Sequence, residues 1–146
     1  MKRIKSFEID HATLTKGLYV SRTDRVGLLA HVTTFDVRMK TPYKEPHVCP
    51  EAAHVIEHAL ATFLRNTRRD VAYVGPMGCL TGFYVILNGR KRVADLLPSL
   101  ISAFEWILTI DAVPGASEKE CGNYQFMNLA EAKRESKQYL LTLKSL

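Results

Sequence analysis

Four short strand-like segments, which alternate with helical ones, most constrain the fold of this chain. Residues 17–25 and 28–39 are rich in Val, Thr, Tyr and Phe, and Gly27 favours a turn that lets them pair. Residues 71–74 and 82–87 form a second pair of predicted strands with a sharp connection between them. Strands that pair through short turns run in opposite directions. The sequence therefore predicts an antiparallel sheet of four strands.

Three segments with helical periodicity fill most of the remaining chain. Prolines interrupt regular structure until a helix begins near Glu51 and continues to about Asn66. Apolar residues at helical spacing predict a second helix over 91–110, and a third runs from the N-cap residue Asn128 to about residue 143. These elements predict an α+β fold, a two-layer sandwich in which helices cover one face of the antiparallel four-stranded sheet.

The composition is that of an ordinary globular chain. With 146 residues, 47% hydrophobic and 24% charged, it can bury a core, and no repeat or linker divides it, so we expect residues 1–146 to form a single catalytic domain. No apolar stretch approaches the length needed to cross a bilayer. The three cysteines are few and widely spaced, which favours reduced thiols in the cytoplasm over a secreted disulfide framework.

The net charge of +5 comes partly from short basic clusters, such as Arg90-Lys91-Arg92, at predicted element ends. A nucleic-acid groove would interleave aromatic and basic residues along one face, and these clusters do not. We interpret them as solvated surface, so we expect neither nucleic acid nor a membrane as a partner.

The sequence His54-Val-Ile-Glu57-His58 lies within the first predicted helix. At about 100° per residue, His58 lies roughly 40° from His54 and Glu57 roughly 60° to the other side, so the three side chains can face one point. Two histidines four residues apart can bind one metal ion, and the carboxylate between them is free to move a proton. The simpler interpretation is a surface helix with two solvated histidines.

A metal site needs a third ligand. Cys121 lies in a polar loop after Pro114-Gly115 and can supply a thiolate, which would leave one coordination position open as in catalytic sites. Cys49 is a weaker candidate just before the helix. Two alternatives stay open: a small metallopeptidase with Glu118 or Glu120 as third ligand, and a non-catalytic zinc-stabilised interaction domain with a fourth protein ligand.

A further cysteine, Cys79, lies in the glycine-rich connection between the second pair of strands and is predicted to be exposed at its tip. Several motifs, in this order, resemble the S-ribosylhomocysteine lyase (LuxS) family over nearly the whole chain: Ser6-Phe-Glu-Ile-Asp-His11, Phe35-Asp36-Val-Arg38, His54-x-x-Glu57-His58, Pro76-Met-Gly-Cys79-x-Thr-Gly-Phe-Tyr84 and Cys121-Gly-Asn-Tyr.

The resemblance implies an enzyme that cleaves S-ribosylhomocysteine to homocysteine and 4,5-dihydroxy-2,3-pentanedione, the autoinducer-2 precursor, by successive carbonyl shifts and β-elimination of the thiol. It also implies a homodimer with its sites at the subunit interface. One Fe²⁺ per chain, replaceable by Zn²⁺ or Co²⁺, would act as a Lewis acid.

The resemblance also assigns roles to residues. His54, His58 and Cys121 would bind the metal, Cys79 and Glu57 would be the acid/base pair, and Ser6, His11 and Arg38 would contact the substrate. One departure concerns the sugar: the family usually carries an acidic residue shortly before Pro-Met-Gly-Cys, where this chain has Tyr73 or Val74.

Overall fold

The computed structural model describes residues 10–146, which form one four-stranded sheet and three helices. The elements in chain order are β1 (Gly17–Val26), β2 (Ala30–Arg38), α1 (Pro50–Thr67), β3 (Val71–Pro76), β4 (Gly82–Asn88), α2 (Val93–Thr109) and α3 (Leu129–Leu143). The strands lie in the order β1-β2-β4-β3, and every neighbouring pair is antiparallel. The predicted α+β sandwich and its antiparallel sheet are confirmed.

The element boundaries lie within a few residues of the predicted ones. The turn between β1 and β2 is longer than expected, because Leu28 and Leu29 belong to it together with Gly27, whose φ is +65°. Such a φ is favourable for glycine, which explains why the chain reverses there. At α1, Pro50 lies in the first turn, where the missing N–H of proline removes no intrahelical hydrogen bond. Asn128 caps α3 by accepting a hydrogen bond from the Glu131 backbone N–H at 3.0 Å, as predicted.

The core lies between the sheet and the helices. Phe35 and Val37 of β2 alternate with polar residues and are fully buried, and their neighbours on β4 are Val85 and Phe83. Side chains alternate between the two faces of a strand, so this apolar set must face one side. It packs there with the buried residues of α1, α2 and α3, including Ile56, Leu60, Leu100, Phe104 and Tyr139.

The other face of the sheet has a different character. Asp36 and Arg38 project from it on β2, and Tyr84 is the neighbour of Asp36 on β4. Tyr19 and Tyr73 lie on this face near its two edges, 36% and 46% exposed. The helices therefore leave a sheet face that combines one buried ion pair with partly exposed tyrosines.

Two glycines let those tyrosine rings lie flat along the sheet. A Cβ added to Gly75 would be 1.9 Å from the Tyr73 hydroxyl oxygen, and one added to Gly17 would be 2.9 Å from that of Tyr19. A third glycine, Gly82, allows β4 to approach β2, since a Cβ there would be 2.2 Å from the Val37 carbonyl oxygen.

Within residues 10–146, none of the helices is both long and apolar enough to cross a membrane.

Candidate active site

Three potential metal ligands converge on one side of α1. His54 and His58 are one helical turn apart, with ring centroids separated by 4.8 Å, and Cys121 approaches them from the loop after α2. The Cys121 Sγ lies 3.5 Å from the His54 Nε2, and the ligand atoms of all three residues lie within 4.8 Å of one another. The structure therefore brings together the three residues predicted to bind metal.

Backbone hydrogen bonds hold the loop that carries Cys121. The Cys121 N–H donates to the Ser117 carbonyl at 2.9 Å, which closes a turn just before the thiol. At the end of the loop, the Asn128 N–H donates to the Glu51 carbonyl in the first turn of α1 at 3.2 Å. The loop is thus fastened to the helix that carries the histidines, and this contact limits how far the thiol can move from them.

A backbone carbonyl fixes the tautomer of His58. The His58 Nδ1 lies 2.9 Å from the Pro114 carbonyl oxygen, and a carbonyl can only accept a hydrogen bond. Nδ1 therefore carries the proton, and the lone pair of Nε2 is available for a metal. Gly115 next to it has φ +67°, and a Cβ there would be 3.3 Å from Nδ1, so glycine permits both the turn and the close approach.

His54 is also suited to bind as a neutral ligand. Burial, followed by the nearby His58, lowers the pKa of His54 below its ordinary value, and the Glu57 carboxylate opposes this only in part. The ring of Phe126 lies against the imidazole, with centroids 5.3 Å apart. A neutral imidazole at neutral pH is the form that coordinates a metal ion.

Two imidazoles and one cysteine sulfur are a donor set used by tetrahedral metal sites with one open position. Metal bonds of about 2.0–2.3 Å place tetrahedral ligand atoms roughly 3.3–3.8 Å apart, and the 3.5 Å between Cys121 and His54 lies in that range. Imidazole and thiolate ligands accept Fe²⁺, Co²⁺ and Zn²⁺. Among the described residues, neither Glu118 nor Glu120 belongs to the group, so the ligand set of the peptidase alternative is not supported. The same residues supply no fourth protein ligand of the kind that a closed structural zinc site needs.

The second candidate group surrounds Cys79. The thiol is exposed at the tip of the β3–β4 connection, as predicted, and the following Leu80 has φ +56°. The Thr81 hydroxyl lies 3.0 Å from the Cys79 Sγ, and the Arg38 Nη1 lies 3.9 Å from it. Burial by itself raises the pKa of the thiol, but hydrogen bonds from the Thr81 side chain and backbone and the charge of Arg38 lower it overall. The surroundings therefore favour the thiolate.

Arg38 is held in place by a buried ion pair. Its Nε and Nη2 donate to the two carboxylate oxygens of Asp36 at 3.0 and 2.5 Å, and its Nη1 donates to the Thr81 hydroxyl at 2.5 Å. The two charged side chains are only 2% and 3% exposed. The sequence prediction included Arg38 but gave no role to Asp36 or Thr81. The spacing Asp-x-Arg could have identified Asp36, because residues two apart on a strand share a face. Thr81 lies in the β3–β4 connection, where this rule does not apply.

Only some of the remaining predicted residues line the cavity that contains Cys79. His11 and Cys79 line one cavity of about 270 Å³, together with Pro42, Tyr43, Glu45, His47 and Thr81. Glu57 is partly buried on α1 between the two histidines and does not line this cavity. Cys49 lies outside the group of three candidate metal ligands, and burial raises its pKa. Ser6 lies outside the described residues.

Comparisons with known proteins find relatives that match nearly the whole chain. The model of the family S-Ribosylhomocysteinase (LuxS) matches residues 4–145. An S-ribosylhomocysteine lyase of Finegoldia magna is 47% identical over 142 residues, which cover 96% of this chain and 90% of that protein. One of Desulfotalea psychrophila is 46% identical over 143 residues, covering 95% and 89%. One of Borreliella burgdorferi is 45% identical over 150 aligned positions, covering 100% and 95%.

Proposed function

Because the chain belongs to the S-ribosylhomocysteinase (LuxS) family, we propose that His54, His58 and Cys121 hold its catalytic metal and that Cys79 and Glu57 move protons on its substrate. The protein is an S-ribosylhomocysteine lyase, a carbon–sulfur lyase that acts on a small molecule. Its products are homocysteine and 4,5-dihydroxy-2,3-pentanedione. The observation that carries the proposal is the convergence of two imidazoles and one cysteine sulfur within 4.8 Å.

The reaction requires proton transfer before the C–S bond can break. β-Elimination of a thiol from a sugar requires a carbonyl group two carbons away from the carbon that bears the sulfur. The carbonyl must therefore first shift along the ribose. When bound, the metal supplies a Lewis acid for the substrate carbonyl oxygen. Each shift removes a proton from one carbon and returns one to its neighbour, which calls for groups that accept and donate protons near neutral pH.

Cys79 is suited to be one of these groups. Its Sγ is exposed to the cavity, and Thr81 and Arg38 stabilise its thiolate, so it can take a proton from a sugar carbon and give it back. The Glu57 carboxylate lies beside the metal-binding histidines and would move the protons of the sugar on that side. His11 and Arg38 would contact the substrate near Cys79, and Ser6 would do so from the N-terminal segment. Tyr73 or Val74 takes the place of an acidic residue in the family, and neither would supply a charged contact to a ribose hydroxyl.

We propose that the metal is Fe²⁺, one per chain, and that Zn²⁺ or Co²⁺ can replace it. These donors can bind several divalent ions, since thiolate and imidazole bind all three.

The free state of Cys49, Cys79 and Cys121 is consistent with a reducing compartment, and we place the enzyme in the cytoplasm. The pentanedione product would serve autoinducer-2 synthesis for quorum sensing, and the homocysteine would return to the methyl cycle.

We further propose a homodimer in which each site combines two subunits. Arg38 and Cys79 belong to the sheet face opposite the helices, whereas His54 lies on α1 in the helix layer. Among residues 10–146, none lines both the Cys79 cavity and the cavity beside Cys121. A second copy packed on the tyrosine-rich sheet face would supply its metal group to the Cys79 of the first.

Mixing two inactive variants tests the shared site. In a heterodimer of Cys79→Ala and Cys121→Ala chains, one site would combine the intact thiol of one chain with the intact metal group of the other. Random exchange makes about half of the dimers mixed, each with one of two sites intact, so about a quarter of the wild-type activity should return. Activity that stays at zero after exchange, in dimers verified by mass spectrometry, would place all catalytic groups in one chain.

The activity itself is tested with anaerobically purified protein loaded with Fe²⁺ or Co²⁺. Addition of S-ribosylhomocysteine should release a free thiol that a thiol reagent detects. The matched control is Cys49→Ala, which removes a cysteine outside both groups and should leave the release unchanged. A metal-loaded wild-type protein that releases no thiol would refute the proposed function.

A further inference from the structure

Four polar side chains form a continuous hydrogen-bonded chain that ends at the Cys79 thiol. Asp36 accepts two hydrogen bonds from Arg38, Arg38 donates to the Thr81 hydroxyl at 2.5 Å, and that hydroxyl lies 3.0 Å from the Cys79 Sγ. The direct distance from Arg38 to the thiol is longer, 3.9 Å. Among residues 10–146, Thr81 therefore bridges the guanidinium and the sulfur through its hydroxyl.

The chemistry of these groups fixes the direction of each hydrogen bond when Cys79 is ionised. A guanidinium group has only donors, so the Thr81 oxygen must accept from Arg38. A thiolate has no proton, so the Thr81 hydroxyl must donate its own proton to the ionised sulfur. A hydrogen bond donated to sulfur stabilises the thiolate more than the thiol, because it is charge-assisted only in the ionised form.

We propose that Thr81 is a positioning residue of the lyase, which holds the Cys79 side chain in its thiolate form, and that Asp36 orients Thr81 through Arg38. The inference rests on the proposed role of Cys79 as a base and assigns functions to two residues that carry none so far. Without the Asp36 anchor, the guanidinium could turn toward the sulfur or the solvent, and the direction of the Thr81 proton would no longer be fixed.

Other charged and titratable groups face the same thiol or its cavity. They come from the segment before β1, from β4 and from the connection between β2 and α1: His11, Tyr84, Tyr43, Glu45 and His47. Thr81 lies within hydrogen-bond distance of both the Arg38 guanidinium and the Cys79 sulfur. The substitution that isolates the proposed effect is therefore Thr81→Val, which keeps the size and branching of threonine and removes only its hydroxyl.

The test measures the ionisation of Cys79 without substrate. The rate of alkylation of Cys79 by iodoacetamide is followed against pH in the metal-loaded protein, and the modified peptide is resolved from those of Cys49 and Cys121 by mass spectrometry. A charge-assisted hydrogen bond is of a size that shifts a pKa by about one unit. We expect Thr81→Val to raise the midpoint of the alkylation profile by about one pH unit and Thr81→Ser to leave it within a few tenths.

A second variant and a kinetic readout separate positioning from simple structural support. Asp36→Asn should also raise the midpoint, and in the lyase assay Thr81→Val should lose kcat at neutral pH and regain much of it at higher pH. A Thr81→Val midpoint equal to that of the wild type, or an equal shift in Thr81→Ser, would overturn the proposal. Because alkylation needs no substrate, a protein that cleaves no S-ribosylhomocysteine would still give a clear answer here.

Discussion

Replacing Arg38 by methionine would leave the Asp36 carboxylate buried without its charged partner. Both side chains are nearly inaccessible, 2% and 3% exposed, and two hydrogen bonds of 3.0 and 2.5 Å join them. Removal of one member of a buried ion pair typically costs about 3–5 kcal/mol, because the remaining charge has neither water nor a counterion. We expect Arg38→Met to lower the free energy of unfolding by about this amount at neutral pH.

The pH dependence of this loss follows from the carboxyl group that remains. Burial already raises the pKa of Asp36 above its ordinary value, and the hydrogen bonds and charge of Arg38 oppose that rise. Without Arg38, the pKa of Asp36 rises further, so the stability contributed by the protonated form is lost as pH rises through the folded value. The destabilisation should therefore be greatest at neutral pH and shrink in mildly acidic solution.

Urea unfolding at one fixed protein concentration measures these differences. The double variant Asp36→Asn with Arg38→Met carries no charge at this buried site, and we expect it to recover at least half of the loss. The Thr81 hydroxyl loses a donor in both variants, so it does not account for the recovery. A single Arg38→Met variant that loses less than about 1 kcal/mol, or a double variant no more stable than the single one, would refute this account of the pair.

Three further predictions concern the metal, a surface cluster and a close backbone contact. Cys121→Ala should lose the bound metal in elemental analysis, whereas Cys79→Ala should keep about one ion per chain and release no homocysteine; full metal content in the first variant would exclude Cys121 as a ligand. Burial raises the pKa of Asp70, but its ion-pair partners Arg68 and Lys91 lower it from 3.8 to about 2. The stability that Asp70 contributes to the fold is therefore complete above about pH 4 and is lost as pH falls toward 2. Asp70→Asn should therefore cost about 1–2 kcal/mol at neutral pH in urea unfolding and almost nothing near pH 2, whereas an equal cost at both pH values would contradict the assignment. Gly82→Ala should lower the free energy of unfolding by about 1–3 kcal/mol in thermal unfolding, because the new Cβ would be 2.2 Å from the Val37 carbonyl oxygen. A variant as stable as the wild type would contradict this close contact.

Most of the fold could be predicted because local patterns and global packing agree. The β-branched and aromatic residues of β1 and β2 and the Asn128 cap of α3 are strong local signals, and each marks an element that forms. The strand order β1-β2-β4-β3 was not predictable in this way, because it places β4 beside β2 across the intervening helix. That pairing depends on contacts between residues far apart in sequence, including the close approach at Gly82.

In the candidate site, too, the local features could be predicted from the sequence and the contacts between distant segments could not. The motif His54-x-x-Glu57-His58 indicates its own geometry, because a helix fixes the relative directions of its side chains. The tautomer of His58 depends on the Pro114 carbonyl in a distant loop, and no sequence pattern indicated that contact. Thr81 was likewise missed, since its importance arises only when the β3–β4 connection meets Arg38 on β2.

Identification of both products in one reaction tests the lyase activity of this chain most directly. Metal-loaded protein is incubated anaerobically with S-ribosylhomocysteine, homocysteine is measured with a thiol reagent, and the pentanedione is trapped with an aromatic diamine and identified by mass spectrometry. We expect both products in equal amounts, with neither formed by Cys79→Ala. Loss of the substrate without free homocysteine, or formation of homocysteine without the dicarbonyl, would contradict this expectation.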